Sequence, residues 1–225
     1  MTAGFRRLPR SFFEGPDVVQ IARALVGKYV FTQLDGSLTG GRIVETEAYN
    51  GRTDKACHAF LKRTRRTEIM YEQGGLAYVY LCYGIHEMFN IVTNKQGLAD
   101  AILIRALEPV VGHETMAFRR GGDKGFKLTA GPGNVTKALG INRTHLGTSL
   151  SDSQEIWLAE GVDDLPSVDI AVDRRVGVDY AEEDALLPWR FFAKGSKWIS
   201  KPMQKDASSR FDIQRPGTMD SGAEK

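Results

Sequence analysis

Gly41-Arg42-Ile43-Val44-Glu45-Thr46-Glu47-Ala48-Tyr49 reads as a β-strand rich in residues that suit a pleated sheet, yet it carries two carboxylates and ends on an aromatic ring. Side chains alternate along a strand, so Glu45, Glu47 and Tyr49 share one face while Thr46 and Ala48 take the other. A face packed into a core should not hold two acids, and a face in water gains little from a terminal tyrosine. Further along, Ala77-Tyr78-Val79-Tyr80-Leu81-Cys82-Tyr83-Gly84 puts Tyr78 and Tyr80 on one face. Tyr83 falls on the opposite parity, beside a glycine where the chain can turn. If these two strands are neighbours, a carboxylate looks into a slot walled by aromatic rings. Such a slot suits a flat ligand with π faces.

Working outward from these strands, Lys28 to Leu34 reads as a strand, Asp35-Gly36 as a turn, and the chain up to Tyr49 as the return strand. Before them, Val18, Ile21, Ala22 and Leu25 recur at helical spacing, with Pro16 suited to the first turn and Gly27 to the stop. Asn50 to Arg66 is a basic loop and Thr67 to Glu72 a short helix. The tyrosine-bearing strands are joined near Tyr83-Gly84-Ile85, and Asn90-Ile91-Val92-Thr93 continues the second of them. Ala101 to Leu107 is a further strand ending near Arg105 and Glu108-Pro109, followed by a helix over Gly112 to Arg119. Gly131-Pro132-Gly133-Asn134 introduces another helix, Val135 to Leu139. Its free N–H groups would suit a phosphate, but no P-loop lysine follows, and the pattern reads first as an ordinary loop-to-helix turn. Ile156 to Leu158, Val168 to Val172, Arg190 to Phe192 and Lys197 to Ile199 are strand-like runs. Paired strands alternating with peripheral helices predict an α+β fold. The expected architecture is one domain over residues 1–202, a curved, mainly antiparallel sheet with peripheral helices and a protruding β-hairpin. Residues 1–10 are expected to form a loosely ordered lead-in and 203–225 a polar, disordered tail.

The 225 residues are enough for one well-buried domain and short for two. No apolar run approaches a membrane span and the N-terminus lacks a signal-peptide core, so no membrane partner is expected. The two cysteines, Cys57 and Cys82, are few for a disulfide scaffold and favour a reducing cytosol. The histidines show no paired ligand spacing, so no metal is assigned. Net charge is only +2, but its distribution is uneven. Basic residues dominate 52–70 and 117–143, whereas 151–184 concentrates acids. A basic face segregated from an acidic one fits a polyanion better than an even mixture would, although solvated surface charge is the ordinary alternative.

A carboxylate set among aromatic rings is partly stripped of water and becomes a useful base. Glu47 is the better candidate, because Tyr49 is its same-face neighbour at the strand end, and Arg105 could pack alongside to balance the charge. A lone strand glutamate is more often a surface acid paired with an arginine, and tyrosines spaced by two more often pack a sheet. Combined with the basic loops, though, they justify a nucleic-acid ligand: stacking contributes roughly 1–3 kcal/mol per base, and cations hold the phosphates. Arg63, Arg65 and Arg66 are the candidate phosphate contacts. A carbohydrate glycoside hydrolase and a non-catalytic binder of damaged DNA are the rival classes.

Gly-Arg-Ile-Val-Glu-Thr-Glu-Ala-Tyr (41–49), Tyr-Val-Tyr with Tyr-Gly (78–84), Arg-Ala-Leu-Glu-Pro (105–109), Gly-Pro-Gly (131–133), Arg-Val-Gly-Val (175–178) and Gly-Ser-Lys-Trp-Ile-Ser (195–200) strongly resemble the alkyladenine (3-methyladenine) DNA glycosylase family, in its order and spacing, over roughly residues 11 to 202. The resemblance implies an α/β domain around a curved antiparallel sheet that excises alkylated and deaminated purines from duplex DNA by hydrolysing the N-glycosidic bond. It implies that Glu47 activates the attacking water, with Arg105 and the backbone carbonyl of Val176 helping to hold it. Tyr49 would stack on one face of the flipped base, Tyr80 and His58 on the other, with Tyr78 lining the pocket. Tyr83 resembles the wedge that fills the gap in the stack, and Asn90 the residue that crowds out the exocyclic amine of guanine. Where many relatives read Thr-Pro-Arg-Asn after the histidine, this chain has Thr64-Arg65-Arg66-Thr67, which keeps the basic character. No lysine lies in the pocket motifs to form a Schiff base, so a monofunctional enzyme without cofactor is expected. Its partner would be double-stranded DNA containing a damaged purine. The enzyme would work as a monomer, cytoplasmic and nucleoid-associated in a bacterium or nuclear in a eukaryote.

Overall fold

Strand β3 (Ser37–Tyr49) holds the sheet together. In the computed structural model, which describes residues 4–162 and 168–203, β3 pairs with three strands. One edge carries β6 (Asp100–Val111) along most of its length. The other edge carries β2 (Tyr29–Leu34) over the first half and β9 (Arg190–Ala193) over Glu45 to Glu47. The switch of partner coincides with bulges around Gly40-Gly41 and between Ile43 and Thr46, which bend the strand and re-aim its side chains. A Cβ on Gly41 would lie 2.8 Å from the Glu108 carbonyl oxygen, so the close approach of β3 and β6 needs a glycine there. Pro109 faces this irregularity, which is how a proline is tolerated inside β6 beyond the run expected from the sequence.

The remaining strands extend the sheet in the order β1-β7-β2-β3-β6-β5-β4, with β8 on β9, and every pairing is antiparallel. Here β1 is Phe5–Arg7, β4 Ala77–Cys82, β5 His86–Thr93, β7 Ile156–Gly161 and β8 Ile170–Asp173. This is the expected α+β fold in one domain with a curved sheet. The face of β3 carrying Thr46 and Ala48 is covered by α1 (Val18–Leu25), which buries Val18, Ile21, Ala22 and Leu25, while the Thr46 hydroxyl donates to the Ala22 carbonyl at 2.8 Å. Helices α2 (His113–Arg119) and α3 (Pro132–Leu139) complete the shell. No helix among the described residues is long and apolar enough to cross a membrane.

Four local expectations change. The lead-in is not loose where it is described: Phe5–Arg7 forms edge strand β1 on β7, anchored by Phe5 packed edge-on to Tyr29 and Phe31. Helix α1 starts after Pro16, because the Asp17 carboxylate caps the N–H groups of Val19 and Gln20. Helix α3 starts at Pro132, whose fixed φ suits a first helical position, rather than at Val135. Lys197 to Ile199 is a turn, with the Trp198 N–H taken by the Ser196 hydroxyl instead of a strand partner. The tail expected over 203–225 lies, beyond Met203, outside the described residues.

Candidate active site

The bulged β3 turns Glu45, Glu47 and Tyr49 to the face away from α1, as their parity predicted, and Arg105 of β6 lies between the two acids. Glu47 Oε1 accepts the Val176 N–H at 2.7 Å, and Oε2 accepts the Tyr49 hydroxyl at 2.8 Å and Arg105 Nη1 at 3.2 Å. The Glu47 side chain is 0% exposed. Its three partners nevertheless face a pocket of about 460 Å³. The carboxylate therefore sits just behind the pocket wall rather than in the slot itself. Burial and the neighbouring Glu47 charge push the Tyr49 hydroxyl well above the usual phenol range, so it stays protonated and donates. Burial works against the Arg105 charge, but Glu47 and Glu45 more than compensate and hold its pKa above the ordinary arginine value.

Aromatic rings supply the rest of the wall. Tyr49 stands on one side, while His58, Tyr78 and Tyr80 cluster on another, with His58 edge-on to Tyr80 at 4.7 Å and Tyr78 tilted against Tyr80 at 5.2 Å. Tyr78 donates to or accepts from His58 Nδ1 at 3.1 Å. Burial, and then the adjacent Arg66 cation, push the His58 imidazole down to about 4. Asn90 lines the floor, its amide donating to the Tyr78 carbonyl at 3.2 Å. Tyr83 stands at the rim on the tip of the β4–β5 hairpin, 90% exposed, with Ile85 beside it at 74%.

The three candidate phosphate contacts separate. Arg66 folds inward, its guanidinium 4.6 Å over the Tyr80 ring and within 3.3 Å of both His58 nitrogens. Arg63 lies over Tyr71 and pairs weakly with Glu68 at 3.5 Å. Arg65 is exposed, and neither it nor Arg63 lines the pocket. Val176, whose carbonyl the resemblance assigns to the attacking water, gives its N–H to Glu47.

Sequence reasoning missed the groups behind the wall. Arg175 is fully buried, paired with Asp54, and lies 4.9 Å beneath the Tyr49 ring. Glu45 accepts from Arg105, Arg190 and Ser200 together. The sole sequence signal for Arg190 was an arginine opening an apolar strand. Pro132, from the Gly-Pro-Gly stretch, also lines the pocket. Among the described residues no group of three His, Cys, Asp or Glu side chains is placed to hold a metal ion.

A buried carboxylate fixed beside an open, ring-lined recess is the equipment that a hydrolase acting at a glycosyl bond would use. Comparison with known proteins narrows this class: residues 11–197 match the family model described as Methylpurine-DNA glycosylase (MPG), and the chain belongs to that family. The chain is similar to proteins named "Putative 3-methyladenine DNA glycosylase". The one from Methanocella arvoryzae is 44% identical over 196 residues, covering 86% of this chain and 96% of that protein. The one from Chlamydia felis is 46% identical over 187 residues, covering 82% and 94%. That from Bacillus cereus is 42% identical over 202 residues, covering 86% and 98%. The protein is thus a DNA glycosylase of DNA repair, a hydrolase that cleaves N-glycosyl bonds in DNA.

Proposed function

We propose that this enzyme flips alkylated or deaminated purines, of the 3-methyladenine, 7-methylguanine, hypoxanthine and ethenoadenine class, out of duplex DNA and hydrolyses their bond to the sugar. A base inside the duplex cannot be reached at C1′, so it must leave the stack. Exposed Tyr83 fills the vacated space as a wedge, and the ring-lined pocket receives the purine between Tyr49 on one side and Tyr80 with His58 on the other. Asn90 crowds the floor against guanine's exocyclic amine. A cationic alkylated purine gains about 1–2 kcal/mol from the tyrosine faces and is also a better leaving group.

The observation that carries this reading is Glu47, whose hydrogen-bond partners all face the pocket. A carboxylate offers about four acceptor positions. Three are taken, two on Oε2 and one on Oε1, so the free position is on Oε1, next to Val176. A water admitted between Tyr49, Arg105 and Val176 gives its proton to that oxygen as it attacks C1′. The positive charge growing on the sugar is met by the same carboxylate. The enzyme is monofunctional, works as a monomer, and leaves an abasic site with the strand intact.

The test is single-turnover base release from duplexes each carrying one of these lesions. Glu47→Gln should bind the lesion as well as wild type and release the base at least 10²-fold more slowly, a magnitude of about 10²–10⁴ being usual for a general base. A silent binder would show no release in wild type. Strand cleavage at the lesion without alkali would rule out the monofunctional mechanism.

A further inference from the structure

The Gly-Ser-Lys-Trp-Ile-Ser stretch ends on a residue that reaches back to the catalytic strand. Ser200 N–H donates to Glu45 Oε2 at 2.5 Å and its hydroxyl donates to Glu45 Oε1 at 2.8 Å. The same hydroxyl oxygen accepts from Arg105, Nε at 3.2 Å and Nη2 at 3.1 Å. Arg105 Nε also meets Glu45 Oε1 at 3.1 Å, and only Nη1 is directed to Glu47.

A guanidinium is a rigid planar fork, so fixing Nε and Nη2 fixes where Nη1 points. Ser200 and Glu45 hold the far side of that fork, while Glu47 meets its near side. Arg190 Nε donates to Glu45 Oε1 at 2.7 Å, and its Nη2 donates to the carbonyl of Lys201, which ties the segment down next to Ser200. Ser200 does not line the pocket, so it has no direct path to a bound purine.

We propose that Ser200, acting with Glu45, is a positioning residue for hydrolysis: it clamps the outer edge of Arg105 so that the inner edge stays registered on Glu47. This rests on Glu47 being the base that activates water. Loss of the hydroxyl removes both Ser200 contacts to Arg105, leaving Nη2 without that partner and the fork held only by Nε on Glu45 and Nη1 on Glu47. Misplacement of a reacting group by about 1 Å can cost on the order of 10²-fold.

The experiment uses the full chain and a duplex with a single hypoxanthine, comparing wild type, Ser200→Ala, Ser200→Thr and Glu47→Gln. Single-turnover base release, equilibrium affinity for the lesion duplex and the pH dependence of the rate are measured for each. Ser200→Ala should release base about tenfold more slowly with affinity within about twofold of wild type. The acidic limb of its rate profile should move to higher pH, since the carboxylate has lost part of its cationic neighbour. Ser200→Thr, which keeps a hydroxyl, should recover most of the rate. Wild-type release by Ser200→Ala overturns the proposal. So does a parallel fall of rate and affinity with an unmoved pH profile, which marks a merely structural role. Undiminished release by Glu47→Gln is a different failure, since it removes the base assignment itself.

Discussion

Tyr49 has two jobs that a single substitution separates. Its ring forms pocket wall, and its hydroxyl occupies one acceptor position of Glu47 Oε2. Tyr49→Phe keeps the ring and should keep lesion affinity, while base release falls by about five- to tenfold, the worth of one hydrogen bond of roughly 1 kcal/mol; a fluorescence binding assay beside single-turnover kinetics separates the two. His58 makes a prediction about pH. Its pKa lies below the unfolded value of 6.5, through burial first and the Arg66 cation second. The unfolded chain therefore takes up the proton more readily between pH 6.5 and about 4. The associated stability is present above pH 6.5 and is lost as pH falls through that window. His58 is exposed at the pocket mouth, so solvent screens part of the effect. An NMR titration should find the imidazole below 6.5, and Arg66→Ala should raise it. Glu47, Tyr49 and Arg105 were legible because strand parity and composition are local. Ser200 and Arg190 were not, since they meet Glu45 from 155 and 145 residues away along the chain.

Elements bear out the sequence where their signal is short-ranged. Asp35 and Gly36 both adopt positive φ, 52° and 71°, the signature of the two-residue turn expected between β2 and β3. Strand β1 gave no such signal: three residues are too few for a period, and aromatic contacts from distant strands decide its place. The glycine at 133 is likewise set from outside, because a Cβ there would lie 2.9 Å from the His86 ring of β5. The β4–β5 hairpin carries a local conflict. Tyr83 has φ 49°, a left-handed conformation that costs a bulky residue roughly 1–2 kcal/mol, and at 90% exposure nothing packed around it repays that strain. Tyr83→Gly should leave the thermal midpoint unchanged or raised in calorimetry. Base release from duplex should fall by about tenfold or more, as removal of a wedge demands. A lowered midpoint together with full activity would refute both halves.

Across the whole molecule, charge is less segregated than the linear sequence suggested. Lys55 of the basic loop meets Glu182 and Glu183 of the acidic stretch, and Arg52 meets Asp100. Several cations are thus engaged within the protein, because folding brings the acidic segment against the pocket's outer wall. Arg63 and Arg65 are exposed and do not line the pocket, and the proposed role for them is contact with the DNA backbone. Each phosphate neutralised contributes about 0.9 to the slope of log affinity against log salt. The double variant Arg63→Gln/Arg65→Gln should therefore flatten that slope by about 2, and weaken lesion and undamaged duplexes alike in a filter-binding series.

Because β3 is bonded along both edges by β2, β6 and β9, its amide protons have no route to deuterium short of opening the entire sheet. The segment bearing Glu47 should be the slowest to exchange. The catalytic centre would then vanish only when the molecule melts globally, so heat inactivation and loss of structure should follow one curve.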